Sequence, residues 1–553
     1  IMGGWVRSPW GRPGAVMSKK TASIADDPHA LPDWLKGLAV LLLLLAVTCI
    51  AYIPTMRSNV RFIWGDDDAG LVSRGLHSMS GLQKIWFGIF ADPRTYLLPR
   101  YQPMASTLAW IEWRAFGLNP RGYHVVSIVM HALCGWMAWL ILSRLAVPGA
   151  LVASLLFVAH PMAVQSVAWQ AEQGNVLALL LGLSSLYVWL RYTGLIAGPP
   201  TGEGKFSLPS DPQRIYAIGM ILLVAALLSR PTAAVVPVAL VMMIWWKRGR
   251  IDLQREFLPL LPLFVVSAAA AGLAGYMEVV RAGATGSEWQ FGSGSLASEL
   301  TARVLMSGQA VWFYFGKLIW PFPTMFNYPQ WDMTQTAAWA WIFPVAAVIV
   351  LSGLVMSRNR IGRGPICATI IFIGALFPVL GFINVRAFRY AIVWDYFAYW
   401  ALLPMLALIA AAAVQFWTRR RLNAGAGIAL TGVVLFLLTG FSFRQANAYV
   451  NNGRLWDDTL RKNPASTLAL NELGRAALEN GDLQRAHAMF ERVLAVDPLN
   501  PGVRLNFGLL IEASGGRLED AIAWYRDAVD LRQRFTQAWQ RLGMAYQRLA
   551  MER

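Results

Sequence analysis

The chain has 553 residues, of which 56% are hydrophobic and 14% charged, with a formal net charge of +17. An ordinary soluble domain carries about 25% charged residues, so a purely water-soluble protein is excluded. A nucleic-acid surface is excluded as well: the basic residues sit in short clusters between apolar runs (Lys247, Arg248 and Arg250; Arg358, Arg360 and Arg363; Arg419, Arg420 and Arg421), the pattern of cytoplasmic membrane loops.

The chain opens with Ile1-Met2, and Met17-Ser18-Lys19-Lys20 is a second candidate start, with residues 1–16 upstream of it. The apolar run 35–54 reads as a retained signal anchor, because it is about the 20 residues needed to cross a bilayer and no small-residue cleavage site follows it. Ten more runs follow, at 122–144, 149–160, 174–192, 214–230, 231–247, 257–277, 336–356, 365–383, 397–417 and 426–443. The expected fold class is therefore all-α: a polytopic body of about 11 transmembrane helices, 35–445, between a cytoplasmic segment 1–34 and a helical-repeat domain 446–553. Cys49, Cys134 and Cys367 each lie inside an apolar run and read as small core residues.

With the N-terminus inside, all three basic clusters face the cytoplasm. An odd number of spans then carries 446–553 to the far side, and 55–121, 278–335 and 384–396 become outer loops. Within them, 104–117 and 298–320 are apolar on one face and polar on the other and resemble helices lying on the membrane surface.

The first outer loop holds Phe62-Ile63-Trp64-Gly65-Asp66-Asp67-Asp68. Three consecutive carboxylates repel one another, which raises at least one pKa and suits a general base; a solvated acidic turn and an oxygen-ligand site for a divalent metal are the alternatives. Further ionisable residues map to the same face: His160 before Pro161, Glu172 at the start of a span, Arg230 before Pro231, and Arg386, Arg389 and Asp395 together. Such residues at span ends are functional candidates. His160 also reads as a buried histidine satisfied by a carbonyl, and Arg230 as a cation reaching the headgroups. His124 and His131 read as packing.

Beyond residue 445 the chain becomes a repeat. Asn463-Pro464 returns as Asp497-Pro498 after 34 residues, and Leu473-Gly474 returns as Phe507-Gly508 and Leu542-Gly543. That period marks tetratricopeptide repeats, here two and one further helix. Ala486 and Phe490 return as Ala521 and Tyr525, displaced by one residue where Gly515-Gly516 lengthens the turn. Such helices stack into a groove for peptide segments. Asn471, Arg475, Arg504 and Asn506 are the candidate partner-binding residues, with solvated surface positions as the alternative.

Taken in order, Phe62 to Asp68, Phe116-Gly117-Leu118-Asn119-Pro120, His124, His131-Ala132-Leu133, His160-Pro161 and Ser166-Val167-Ala168-Trp169 with Glu172 resemble the transmembrane and tetratricopeptide-repeat O-mannosyltransferase family and its bacterial relatives. Leu228-Ser229-Arg230-Pro231, Gly316 to Pro321, Pro378 to Gly381 and Leu455-Trp456 through Asn463-Pro464 continue the resemblance, which covers nearly all of the chain from Leu35. It implies a GT-C glycosyltransferase fold using a polyprenyl-phosphate-linked sugar as donor and a protein hydroxyl as acceptor. In that reading Asp66 or Asp67 is the base, Arg230 holds the lipid phosphate with help from Arg386 or Arg389, and Asp68, His160, Glu172 and Asp395 support them. No metal or other cofactor is required. The family's polar residues are replaced here by Gln102, Gln165, Gly174 and Asn175, and the arginine it has near Tyr396 is absent from that position.

Membrane lipid and an extracytoplasmic acceptor or partner protein, held by the repeat arm, are the implied partners, with no nucleic acid. The compact arm points to a bacterial inner membrane with a periplasmic repeat domain; in a eukaryote the outer face would be the endoplasmic reticulum lumen. The alternative is a catalytically inert, membrane-anchored scaffold or accessory subunit of a larger complex. A transporter or flippase would call for paired internal repeats with broken helices, and the membrane part lacks such symmetry.

Overall fold

A computed structural model describes residues 32–65, 77–91, 98, 100–196, 211–280, 295–331, 338–533 and 535–552. Every regular element among them is helical. The acidic run Asp66, Asp67 and Asp68 lies outside the described residues.

Among the described residues, eight helices are long and apolar enough to cross a membrane: Asp33–Met56, Pro120–Arg144, Gln170–Tyr192, Pro212–Ser229, Leu253–Val279, Ala338–Ile361, Asp395–Arg419 and Ala424–Val450. A ninth is the pair Ala150–Ala159 and Pro161–Ala168, bent by 55°. The other two runs among the expected 11 fold as shorter helices, Val235–Arg248 and Gly364–Leu376. Each borders a proline-containing 3-10 turn, Pro231–Ala234 in the first case and Phe377–Val379 in the second. Proline cannot donate a backbone hydrogen bond, which cuts the regular helix short.

Burial separates core helices from peripheral ones. The apolar stretch of Gln170–Tyr192 is 72% buried and those of Pro120–Arg144 and Asp395–Arg419 are 56% and 50%, whereas Ala338–Ile361 and Ala424–Val450 are each 6%. The last two leave Val348, Ile349, Met356, Ile428 and Phe436 exposed. Apolar faces of that extent suit a lipid solvent, so the three buried helices form the protein core and the other two lie at its rim.

Three residue–proline junctions aim side chains away from helix ends. A residue before proline is pushed out of the α region. Gln102 (φ −137°), His160 (ψ 128°) and Arg230 (φ −157°, ψ 130°) all follow that rule, at the start of Pro103–Phe116, at the 55° bend and at the end of Pro212–Ser229. His160 repairs the backbone of its break: its Nε2 donates to the Leu318 carbonyl (3.1 Å) and its Nδ1 accepts from the Met162 N–H (3.3 Å).

The chain divides into two compact units. The second comprises Asn451–Arg553 together with Met325–Trp331 and Arg389–Trp394, so two segments expected as outer loops of the body belong to the repeat unit. Asn327 ties them together. Its Oδ1 accepts from Ser466 Oγ (2.7 Å), its carbonyl accepts from Asn463 Nδ2 (3.2 Å), and its Nδ2 donates to the Tyr390 carbonyl (3.0 Å). Phe326 meets Trp394 and Trp456 edge to face.

The repeats follow from their periodic residues. Asn463 and Asp497, each before a proline, leave helical geometry (φ −133° and −134°) and end Asn452–Lys462 and Leu483–Val496. Ser466 and Asn500 cap the next helices through their side-chain oxygens. Phe490 and Tyr525 are fully buried, each against a glycine of the preceding helix. A Cβ on Gly474 would stand 2.4 Å from Phe490 Cε1, and one on Gly508 would stand 2.3 Å from Tyr525 Cε1, whereas one on Gly543 would meet nothing within 4 Å. Alanine at 474 or 508 is therefore expected to destabilise the protein by about 1–3 kcal/mol through overpacking. Alanine at 543 should stabilise by up to about 1 kcal/mol through helix propensity. Thermal unfolding of the purified variants checks both signs.

Candidate functional site

The body encloses a cavity of about 360 Å³, lined by Arg100, Gln102, Asn175, Arg230, Glu278 and Tyr396 on its polar side and by residues such as Ala271, Gly275, Phe377 and Val379 on its apolar side. Four charges meet there. Arg230 Nη2 lies 2.7 Å from Glu172 Oε2, Arg100 Nη1 donates to Glu172 Oε1 at 3.3 Å, and Arg100 Nε stands 3.8 Å from Glu278 Oε1. Glu278 Oε2 accepts the backbone N–H of Arg386 (2.8 Å).

Glu172 has no solvent exposure and sits just ahead of the helix Gln173–Tyr192, where the dipole favours an anion. Arg230 is 8% exposed because its pre-proline geometry turns it inward, and its guanidinium lies 5.6 Å from the Tyr396 ring centre. The Arg230–Glu172 approach is a charge contact without hydrogen-bond geometry: Glu172 Oε2 and Arg230 Nη1 are both buried and neither has a hydrogen-bond partner among the described residues. A buried guanidinium donor with nothing to donate to is rare in a folded protein and marks a place for an acceptor.

Tyr396 is clasped by Gln165 and Asn175. Its N–H donates to Gln165 Oε1 (3.1 Å) and its carbonyl accepts from Asn175 Nδ2 (3.0 Å). Asn175 Oδ1 in turn accepts from Trp400 Nε1 (3.1 Å). Trp169 meets the Tyr396 ring edge to face at 5.9 Å. On its other side Trp169 stacks on Trp64 and donates to the Trp64 carbonyl (2.8 Å). Gly65 packs there in a left-handed conformation (φ +80°), and a Cβ on it would stand 2.9 Å from Trp169 Cζ2. Gly65 is thus anchored through Trp169 to the ring beneath Arg230, and Asp66 is the next residue in the chain.

A second buried polar group begins at Gln173, the residue after Glu172. Gln173 Nε2 donates to Glu112 Oε1 (2.7 Å) and to Ser127 Oγ (3.2 Å), Ser127 Oγ donates to Gln170 Oε1 (3.3 Å), and Gln170 Nε2 donates to His124 Nδ1 (2.7 Å). Glu112 is 2% exposed, its Oε2 has no partner, and burial pushes its pKa from 4.5 up to about 8, partly offset by the Gln173 hydrogen bond. The folded protein therefore holds a proton on Glu112 that the unfolded chain releases. Stability from this group is complete below pH 4.5 and is lost as pH rises towards 8, by about 1.4 kcal/mol per pH unit. Thermal unfolding from pH 5 to 8 should show a smaller decline for Glu112→Gln than for the wild type.

Of the residues expected from sequence, Arg230, Glu172 and the backbone of Arg386 come together at the cavity. Asp395 is 2% exposed at the start of the Asp395–Arg419 span. His160 has both ring nitrogens committed to the backbone, as described above. Arg389 falls in the second unit. His131 bonds Tyr399 Oη and the Val158 carbonyl, in keeping with packing. In the repeats, Asn506 Nδ2 donates to Asn471 Oδ1 (2.8 Å). Arg475 pairs with Glu472 and Glu479, and Arg504 pairs with Asp527 and donates to the Pro498 carbonyl. Sequence reasoning missed Arg100, Glu112 and Glu278. Glu278 carried a usable signal, since it is a carboxylate in the last turn of an apolar helix, one residue beyond the run assigned to it.

The tetratricopeptide-repeat family matches residues 443–486 and 471–534. The chain is 27% identical over 155 residues to Protein O-mannosyl-transferase Tmtc1 of Drosophila melanogaster, an alignment taking in 27% of this chain and 18% of that protein. No solved structure matches.

Proposed function

We propose that this membrane protein is a GT-C type glycosyltransferase that moves a sugar from a polyprenyl-phosphate donor to a protein hydroxyl on the extracytoplasmic face. The observation that carries the reading is the buried, unpartnered Nη1 of Arg230 at a cavity reached, through Tyr396 and Trp169, by the residue that precedes Asp66. The similarity to an O-mannosyl-transferase supports it. Asp66 or Asp67 takes the proton of the acceptor hydroxyl, whose oxygen attacks the anomeric carbon. The bond from that carbon to the phosphate oxygen breaks, and the charge that develops on the phosphate falls to Arg230. Asp68, His160, Glu172 and Asp395 are the supporting residues of the site. The donor is a substrate, and no step requires a metal.

The proposed setting is a bacterial inner membrane, with the N-terminus cytoplasmic and the repeat domain periplasmic. There the repeats hold the acceptor protein, with Asn471, Arg475, Arg504 and Asn506 on the binding side. The second reading is an inert scaffold, favoured by the internal neutralisation of both cavity arginines by Glu172 and Glu278. Mass analysis of glycans on extracytoplasmic proteins, in cells with and without the protein, separates the two. A glycan that depends on the protein supports transfer, and identical profiles support the scaffold.

A further inference from the structure

We propose that the cavity at Arg230 continues into an inner apolar chamber that takes the hydrocarbon chain of the lipid whose phosphate Arg230 holds, and that Trp400 transmits the filling of this chamber to the ring beneath Arg230. The proposal rests on the reading of Arg230, whose Nη1 is buried without a partner among the described residues, as a phosphate ligand. It adds a chain-binding site and a positioning residue, Trp400.

The inner chamber has a volume of about 80 Å³. Among the described residues that line it, Trp400 alone carries a side-chain N–H; the others are apolar, with Leu179, Leu183, Ala239 and Pro404 among them. Such a space stays dry and favours hydrocarbon. Val235 and Ala375 line both this chamber and the cavity at Arg230, so one pair of side chains is the partition between them. Gly374 leaves Val235 room to move: a Cβ at 374 would stand 3.5 Å from Val235 Cγ2, at ordinary contact distance. A chain attached to a phosphate at Arg230 thus has the inner chamber as its apolar continuation.

Trp400 joins the two spaces. The tip of its ring lies on the backbone of Gly182, where a Cβ would stand 2.5 Å from Cη2. Its Nε1 donates to Asn175 Oδ1 (3.1 Å), and Asn175 Nδ2 donates to the Tyr396 carbonyl (3.0 Å). The Tyr396 ring centre is 5.6 Å from the Arg230 guanidinium. Pro404 lies four residues beyond Trp400 inside the helix Tyr399–Arg419 and cannot donate to the Trp400 carbonyl, which loosens the backbone at that turn. A chain in the inner chamber packs against the ring, holds it on Gly182 and so keeps its N–H on Asn175. Ordering of this kind strengthens binding at Arg230 when chain and phosphate belong to one ligand.

The test uses the full chain in phosphatidylcholine nanodiscs, with dodecyl phosphate, butyl phosphate and dodecanol as probes. Partition into the bilayer is common to all variants, so each is read against the wild type. Ala239→Leu fills the inner chamber and leaves the outer cavity, which Ala239 does not line. It should weaken dodecyl phosphate binding about tenfold and change butyl phosphate binding by less than about twofold. In the wild type, saturating dodecyl phosphate should slow hydrogen exchange in the segment around Tyr396 more than saturating butyl phosphate does. Trp400→Phe keeps a ring in the chamber and removes the N–H, so in that variant the difference between the two phosphates should vanish. A tryptophan that only fills space would leave the difference in place.

If Ala239→Leu weakens both phosphates equally, or neither, the chamber is overturned. Exchange around Tyr396 that responds equally to both phosphates in the wild type, or a difference that survives Trp400→Phe, overturns the role of Trp400. If Ala239→Leu does not fold, the wild-type exchange comparison decides alone, and an equal response rejects the proposal. Dodecanol that binds as tightly as dodecyl phosphate, with neither altered by Arg230→Gln, overturns the link to Arg230 and the phosphate reading with it. No sugar donor is present in these assays, so failure of glycan transfer leaves the chain site standing, and failure of the chain site leaves transfer standing.

Discussion

Replacing Arg230 by glutamine is expected to abolish the glycan that the proposed transfer would make and to lower the stability of the protein. Both effects follow from one position. The guanidinium is the cation on which the leaving phosphate's charge would fall, and loss of such a donor typically costs about 10²–10³ in rate. It is also a buried partner of Glu172, which has no solvent exposure. Breaking a buried pair from one side costs about 3–5 kcal/mol, and the remaining Arg100 contact puts the expected loss at the lower end of that range. The double variant Arg230→Gln, Glu172→Gln separates the two roles. It should regain most of the thermal stability, because no carboxylate is stranded, while transfer stays lost. Transfer that returns together with stability would assign Arg230 to folding alone.

The second large effect is expected at the acidic run. A positioned general base contributes about 10²–10⁴ in rate. Asp66→Asn with Asp67→Asn should therefore remove the glycan at unchanged protein abundance, and one of the two single variants should account for nearly all of the loss. If their role is catalytic only, stability should move by less than about 0.5 kcal/mol. The contrast with Arg230→Gln is the informative part: one site loses activity and stability together, the other activity alone. Intact glycans in both sets of variants, alongside a membrane complex that falls apart when residues 446–553 are deleted, would replace the transferase reading with the scaffold.

Several single-residue readings turned on what packed around them. His160 carried two readings, a supporting site residue and a buried histidine satisfied by a carbonyl; its ring nitrogens serve the bend in its own span and the Leu318 carbonyl. Gln165 and Asn175, noted only as departures from a family pattern, hold the backbone of Tyr396 beneath Arg230. Neutral amides at those positions clasp a buried backbone segment without needing a counter-ion. Arg475 and Arg504, the candidate partner-binding cations, pair with Glu472 and Glu479 and with Asp527 of the repeats.

The membrane body and the repeat arm were legible in the amino-acid order because both are written as local periodicities. An apolar run of about 20 residues needs no partner to declare itself, and neither does a 34-residue spacing of glycine, aromatic and proline positions. Arg230 was legible for the same reason, since an ionisable residue before a proline at the end of an apolar run is unusual in one dimension. Tertiary structure alone decided the rest. It shortened two of the 11 expected runs, drew 325–331 and 389–394 into the repeat unit, and joined Arg100 and Glu278 to Glu172 and Arg230. Ion pairs between residues far apart in the chain leave no trace in local composition: their energy depends on distance and burial, which exist only once the helices have packed.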